Sequence, residues 1–228
     1  MKFLIALLLG LVVGIGGALA GVYFNPFGER VSVSPLAVSQ DRTLNLGFTA
    51  VPSEGVLYTN NGEESTPPFP EKTLELWEPT IRSTRVAVVE LYNGRGLPIG
   101  IGVKFSSDSE ATDVLNAKAL VDSAWHIYLP GSGSLFVGQQ ENYWSYLRDI
   151  VTKTRWGSEK DWRGAWSSVM TAGPNAIGTG NVRGGSGEFA ELRSEAIETL
   201  AAQAYSAERG PVSMDGNLTI NLPDAASP

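Results

Sequence analysis

Two strand patterns joined by a tight turn constrain the fold of this chain most. Residues 84–92 are rich in β-branched side chains, and Asn93-Gly94-Arg95-Gly96 predicts a hairpin turn. In the return segment, Leu97 to Phe105, apolar residues alternate with Pro98, Gly100, Gly102 and Lys104. Successive side chains of a strand point to opposite faces, so this alternation predicts a half-buried antiparallel strand with its apolar face in the core.

The rest of the chain extends this β pattern and adds one helix. Strand patterns continue at 121–129, 135–137 and 216–222, while residues 141–154 carry apolar side chains at helical spacing. These patterns predict a mainly β fold, an antiparallel β-barrel with one amphipathic helix. A single N-terminal transmembrane helix is predicted to precede the barrel.

The N-terminal segment has two interpretations, a transmembrane anchor and a cleaved signal peptide. After Lys2, residues 3–24 form an uncharged run of 22 residues, long enough to cross a bilayer core of about 30 Å as a helix. Ala18-Leu19-Ala20 also fits the small-residue cleavage pattern of a signal peptide. Either reading exports the rest of the chain. The anchor reading is preferred, and the positive-inside rule then predicts a single-pass protein of the inner (cytoplasmic) membrane, N-terminus in the cytoplasm and domain on the periplasmic side.

Small residues mark one face of this predicted helix. At 100° per residue they share a narrow arc, and small-xxx-small spacing allows close helix packing. The predicted helix-packing face consists of Ala6, Gly10, Gly14, Gly17 and Gly21.

The sequence predicts three regions. Residues 1–27 are the transmembrane anchor or signal peptide, residues 28–45 are a stalk, and residues 46–228 are the β-barrel domain. Proline and glycine between 59 and 72 indicate a loop within the barrel domain.

Composition excludes several kinds of site. The chain has no cysteine and one histidine, so disulfides, zinc-thiolate sites and multi-histidine metal sites are excluded. Its net charge of −7 argues against a nucleic-acid partner, which requires a basic surface. We therefore expect no metal, no cofactor and no nucleic acid.

A glycine-rich stretch carries a family resemblance. Gly184-Gly185-Ser186-Gly187-Glu188-Phe189-Ala190 follows Gly178-Thr179-Gly180. Residues 178–190 resemble the corresponding motif of the allene oxide cyclase and dirigent-like β-barrel superfamily. The resemblance implies an eight-stranded antiparallel barrel with an apolar interior.

The same resemblance assigns local structure but no chemistry. It implies a structural turn at Gly184, Gly185, Gly187 and Phe189, and it implies that residues 195–206 form a strand despite their helix-forming composition. Glu191 and Ser194 depart from the family pattern, which has glycine at both places. No catalytic residue of the cyclases transfers to this chain.

One polar set is a candidate ligand-facing cluster. No G-x-S-x-G motif occurs, so a serine-hydrolase site is not indicated and no catalytic residue is assigned. If the predicted strands are neighbours, a few polar side chains could converge in an apolar cavity and orient a ligand. The alternative, which the pattern favours, is the solvent-facing side of half-buried strands. The set consists of Glu90, Tyr92, Asp122, His126 and Tyr128.

The leading functional hypothesis is a membrane-tethered extracytoplasmic β-barrel that acts as a non-catalytic accessory or assembly subunit of a larger membrane complex. Its partners would be transmembrane helices of that complex and membrane lipid, and the balance is against an enzyme. The alternative is an apolar-ligand-binding or isomerase-type barrel similar to allene oxide cyclase, released after signal-peptide cleavage, with an apolar small molecule as partner. The barrel interior separates the two, because a ligand site needs a cavity.

Overall fold

The computed structural model describes residues 2–23, 42–51, 56–59, 84–157 and 160–222. The predicted loop at 60–72 and most of the predicted stalk lie outside these residues. β1 begins at Arg42, inside the segment predicted as stalk. The elements are α1 (Lys2–Tyr23), β1 (Arg42–Thr49), β2 (Val56–Thr59), β3 (Arg85–Tyr92), β4 (Pro98–Asp108), β5 (Leu120–Leu129), β6 (Gly133–Asn142), α2 (Trp144–Tyr146), α3 (Thr152–Trp156), β7 (Asp161–Val169), β8 (Thr171–Gly173), β9 (Gly180–Gly187), β10 (Arg193–Ser206) and β11 (Gly210–Leu222).

The strands form one antiparallel sheet that closes on itself. The order runs β1, β11, β10, β9, β6, β5, β4, β3, and β3 pairs back to β1 at Tyr92 and Gly47. β7 pairs with the second half of β10, and β8 pairs with the end of β6. Each strand on this path therefore has a paired neighbour on both sides. A mainly β antiparallel fold with few helices is thus confirmed, and residues 193–206 form a strand.

The predicted helix near 141–154 is present in three consecutive segments. α2 is followed by a π-helical turn at Leu147–Val151, where the Thr152 N–H donates to the Leu147 carbonyl, and then by α3. Ile150 is completely buried. Tyr146 packs edge-on against Trp166 and Tyr205, with ring centroids 5.5 and 6.1 Å apart. These aromatic contacts fix the helical segments against β7 and β10.

α1 is a helix, as the N-terminal pattern predicts. In the described part of the chain, no helix is long and apolar enough to cross a membrane. The prediction of a transmembrane segment and signal anchor is therefore not supported, and α1 is described only as a helix. A Cβ added at Gly10, Gly14, Gly17 or Gly21 would meet nothing within 4 Å, so no other part of the described chain packs on these glycines. Their role in helix packing stays a prediction. The periplasmic location likewise stays a prediction.

β4 has the reverse of its predicted orientation. Its interior face carries Gly100, Gly102 and Lys104, whereas Ile101 and Phe105 are 50% and 45% exposed on the outside. The cause lies on the neighbouring strands. A Cβ at Gly102 would lie 2.8 Å from the Trp125 ring, so the large indole occupies the space above a strand that has no side chain there. The prediction of a buried apolar face on this strand is wrong.

Candidate functional site

A lysine and two glutamates meet inside the barrel. Lys104 Nζ on β4 lies 2.5 Å from Glu141 Oε1 on β6 and 2.6 Å from Glu198 Oε1 on β10. Both glutamate side chains are fully buried, and the lysine side chain retains 11% exposure. Buried charges persist only when they are paired and hydrogen-bonded, and these three side chains meet that condition. We call Lys104, Glu141 and Glu198 the buried triad.

Neutral side chains complete the hydrogen bonding of the two carboxyl groups. Gln139 Nε2 donates to Glu141 Oε1 at 2.9 Å and to Glu198 Oε2 at 2.5 Å. Trp125 Nε1 donates to Glu198 Oε2 at 2.9 Å. The side-chain amide oxygen of Gln139, Oε1, accepts from the Thr171 hydroxyl at 2.8 Å. That hydroxyl accepts from the Glu198 backbone N–H at 2.7 Å. These donors of Gln139, Trp125 and Thr171 each point at an acceptor, which locks the orientations of the three side chains.

The strand pattern places these groups inside. On β6, Gln139 and Glu141 continue the inward face of Leu135 and Val137. On β10, Glu198 lies between Ala196 and Leu200 on the inward face. Side chains two residues apart share a face, so the polar groups follow the apolar rows into the core.

Trp125 is held between two close neighbours. Its ring lies over Gly102, and the ring of Phe48 meets it edge-on with centroids 4.9 Å apart. Lys104 Nζ lies 5.3 Å from the centroid of the indole ring, within the range of a cation–π contact. The indole thus contacts the ammonium group and donates to the carboxylate that neutralises it.

The electrostatics favour one proton on the glutamate pair. Burial and the neighbouring Glu198 carboxylate raise the pKa of Glu141 to about 8, with Lys104 opposing them. Burial acts to raise the pKa of Glu198 too, but the attraction of Lys104 and hydrogen bonds from Glu141 and Trp125 outweigh it and lower that pKa. The opposite directions of these two shifts favour the proton on Glu141 and the negative charge on Glu198, beside Lys104. The charges of Lys104 and Glu198 then cancel.

Lys104 stays a cation. Burial by itself lowers the pKa of an ammonium group, yet the two glutamates outweigh it and raise the pKa of Lys104 above its ordinary value. An amine that holds its proton this firmly is a hydrogen-bond donor and a fixed positive charge, not a nucleophile. Two of its three N–H groups point at Glu141 and Glu198. The third has no acceptor among the residues that the structure describes.

A cavity of about 190 Å3 opens beside this ammonium group. Its walls are mainly apolar, and Lys104, Glu198 and the Tyr143 ring border it. Burial and the Glu141 carboxylate raise the pKa of Tyr143, so its phenol remains protonated. Arg85 and Ser106 line the same space. The remaining lining side chains come from β1 and the two residues after it, and from β3, β5, β10 and β11. They include Phe48, Val51, Ala87, Val89, Leu200 and Met214.

The sequence-predicted polar cluster lies elsewhere. Its five residues occupy outward positions of β3 and β5, away from the cavity. Tyr92 donates to Glu90 Oε2 at 2.6 Å, and Asp122 accepts from Gln140 at 2.9 Å. His126 stacks on Phe136 with ring centroids 4.6 Å apart. The structure therefore does not bring these residues together in the interior.

In the glycine-rich stretch, Gly184, Gly185 and Gly187 lie in β9, whereas Phe189 lies in the turn that leads to β10. A Cβ at Gly184 would overlap the Phe189 carbonyl, at a distance of 1.4 Å. Gly187 has a φ of +62°, in the left-handed region, and Phe189 is buried in the core. Backbone approach this close requires glycine at position 184.

The residues of the buried triad were not identified by sequence reasoning. Glu141 was assigned to a helix, Lys104 to an outer face, and Glu198 to a segment of conflicting propensity. A signal was present, since Glu141 and Glu198 fall in phase with the apolar residues of their strands. An acid on an apolar strand face predicts a buried carboxyl group that needs a partner.

Comparison with known proteins gives structural matches alone. No family model matches the sequence, and no curated protein matches it. One similar solved structure is described as a nonspecific heme-binding cyclase that catalyses [4 + 2] cycloaddition during neoabyssomicin biosynthesis, with a TM-score of 0.39 and 10% identity, over 90% of this chain and 80% of that chain. Another is the Diels Alderase AbmU from Streptomyces koyangensis, also at TM-score 0.39 and 10% identity, over 90% and 81% of the two chains. At this similarity the matches assign no residue role and no reaction to this chain.

The leading functional prediction needs correction. The interior that was expected to be filled in an accessory subunit contains a cavity and a buried ionisable network. The membrane-tethered, non-catalytic accessory subunit is therefore wrong as the main prediction, and the findings favour the alternative of a ligand-binding or catalytic barrel.

Proposed function

We propose that this protein is a small-molecule barrel that binds a mainly apolar ligand by a carbonyl oxygen and moves a proton on it. The observation that carries the proposal is the position of Lys104 Nζ, 2.5 and 2.6 Å from two buried carboxyl groups, at the wall of an apolar cavity. Apolar cavities with a few convergent polar groups are the usual form of a small-molecule site.

The cavity volume limits the bound part of the ligand. At about 190 Å3 it lies below the range of about 300–1,000 Å3 typical of small-molecule sites. It accommodates a small molecule or the reactive end of a longer one. Arg85 at the rim adds a positive charge that suits an anionic or strongly polar group on the ligand.

The chemistry follows from the protonation states. The third N–H of Lys104 donates to the carbonyl oxygen, and the fixed positive charge stabilises the negative charge that develops there. The Glu198 carboxylate removes a proton from the carbon next to the carbonyl, and the C–H electron pair becomes the enolate double bond. Glu198, or Glu141 through it, returns a proton to carbon. The net change is a proton exchange or, when the proton returns to a different carbon, an isomerisation, without a redox step.

The sequence resemblance agrees with this class of protein. Residues 178–190 resemble the glycine-rich motif of allene oxide cyclase and dirigent-like barrels. We propose that the chain is a barrel of the same general kind. No residue role is taken from them, since the triad is defined by the geometry of this chain alone.

Cyclohexanone in D2O tests the proposal. We expect wild-type protein to accelerate deuterium incorporation next to the carbonyl, measured by proton NMR, and to shift the indole N–H resonance of Trp125, identified by its loss in Trp125→Phe. Methylenecyclohexane, which has the same shape without the oxygen, is the matched control ligand. Glu198→Gln should retain the binding shift and lose the exchange. Equal binding of both ligands would refute the role of Lys104, and binding without exchange would refute the catalytic step.

A further inference from the structure

The outer surface of three neighbouring strands carries an apolar patch. On β4, β5 and β6, Ile101, Phe105, Tyr128 and Phe136 are 50, 45, 53 and 44% exposed. His126 lies among them, stacked on Phe136. Contiguous exposed apolar surface of this kind marks an interaction site. We call these five residues the outer patch.

The outer patch contains a projection next to a depression. Phe105 on β4 is directly paired with Ala124 on β5, and Ala124 is paired with Gly138 on β6. A Cβ added at Gly138 would meet nothing within 4 Å. A large exposed ring therefore lies two strands away, in the same row, from a position without a side chain. A surface that has both features in one row can be complementary to itself.

We propose that the outer patch is the interface of a symmetric dimer formed with a second copy of this chain. The twofold axis lies in the plane of the interface and runs along β5. This operation exchanges β4 with β6, so Phe105 of each copy lies over Gly138 of the other. His126 and Tyr128 lie on the axis and meet their own counterparts. Such an interface is isologous, with the same surface used by both copies.

Charge complementarity supports a second copy as the occupant. The same operation exchanges β3 with β9, which carry Glu90 and Arg183 on their outward faces at opposite sides of the patch. Glu90 is paired with Ile101 and Arg183 with Phe136, one step apart along the strands. That step of two residues is about 7 Å, within reach of a guanidinium side chain. Arg183 has no acidic partner among the described residues.

The overall charge makes this complementarity significant. Each copy carries a net charge of −7, so non-specific association is repulsive. Two Glu90–Arg183 contacts per dimer place opposite charges around the apolar centre and set its register. This proposal does not depend on the reaction in the cavity, because the outer patch faces away from it.

Cysteine crosslinking of the full chain tests the geometry. The protein has no cysteine, so His126→Cys introduces one thiol per chain at the axis. Under mild oxidation or with a short bismaleimide, we expect a covalent dimer on a non-reducing gel. The matched control is Ser213→Cys, an exposed position of β11 outside the patch, which should give little dimer. Maleimide labelling of both variants establishes that each thiol is accessible.

Two further changes make the test specific. Phe105→Arg in the His126→Cys background should reduce crosslinking by roughly tenfold or more, since it removes the central apolar contact. Glu90→Arg should also reduce it, and adding Arg183→Glu should restore it. Equal crosslinking at 126 and 213, a thiol at 126 that maleimide cannot reach because other parts of the chain cover it, or a failure of the charge exchange to restore the dimer would each overturn the proposal.

Discussion

Lys104 and Glu198 lie 94 residues apart in the chain, and their Nζ and Oε1 atoms are 2.6 Å apart inside the barrel. The pair joins β4 to β10 across the interior, where no backbone hydrogen bond connects them. It therefore depends on closure of the sheet. The same pair borders the cavity, so the charge that would act on a ligand also contributes to the barrel's stability.

Removal of the buried cation should destabilise the fold strongly. Lys104→Met leaves two carboxyl groups without their counter-ion, and breaking a buried ion pair in this way costs about 3–5 kcal/mol. Urea unfolding at pH 7 measures the free energy of unfolding. Lys153→Met, at an exposed position of α3, is the control and should change it little. Combining Lys104→Met with Glu141→Gln and Glu198→Gln should recover much of the loss, and an equal loss in the triple variant would contradict this explanation.

The stability of the wild type should fall between pH 5 and pH 8. The pKa of Glu141 rises from 4.5 to about 8 on folding, so in this range the folded state binds more protons than the unfolded state. The free energy of unfolding then decreases as pH rises, by at most about 1.4 kcal/mol per pH unit for one proton. Thermal unfolding at half-unit pH steps measures this. Glu141→Gln should flatten the dependence, and an unchanged slope in that variant would assign the effect to other groups.

Below pH 5 and above pH 8, the pH dependence of the free energy of unfolding comes from the other two residues of the buried triad, Glu198 and Lys104. The lowered pKa of Glu198 contributes stability that is present above pH 4.5 and is lost as pH falls further. The raised pKa of Lys104 contributes stability that is present below pH 10.5 and is lost at higher pH. Maximal stability near pH 5 follows for this triad.

Filling the space under Trp125 should disturb the site as well as the fold. A Cβ in Gly102→Ala would lie 2.8 Å from the indole and 3.2 Å from Leu91 Cδ2, so the ring, which donates to Glu198, must shift. Overpacking of this kind costs about 1–3 kcal/mol. Chemical unfolding together with the Trp125 indole N–H resonance checks both effects. Gly94→Ala, where an added Cβ meets nothing within 4 Å, should leave that resonance in place.

Arg85 should select ligands that carry an anionic group. Arg85 precedes Ala87, the pairing partner of Lys104, by two residues, so the two cations line neighbouring parts of the cavity. Arg85→Gln should weaken binding of levulinate, a short keto carboxylate, by roughly fivefold, as expected for one solvent-accessible charge pair. Methyl levulinate, which keeps the ketone and lacks the charge, should bind both proteins equally. NMR titration measures both affinities, and equal weakening of the two ligands would show that Arg85 acts on the fold instead.

Local patterns in the sequence located β3, β4, β5 and parts of β6 and β11. The strand predicted at 121–129 is confirmed as β5, in which Trp125 and Ile127 lie inside and His126 outside, because burial on one face imposes a period of two. The glycine-rich stretch at 178–190 marked a close backbone approach, since alanine at 184 would overlap the Phe189 carbonyl. Composition alone removed cysteine-based and multi-histidine sites.

The tertiary structure decided which face of β4 is inside and which residues form the site. Alternation in β4 predicts its apolar face in the core, but Trp125 fills the space above Gly102 and the opposite face lies inside. A lysine on that face becomes stable only when Glu141 and Glu198 approach it from strands distant in sequence. Sequence fixes the period of a strand, but the partners of a buried charge are set by sheet closure, because desolvation is offset only by groups within a few ångströms.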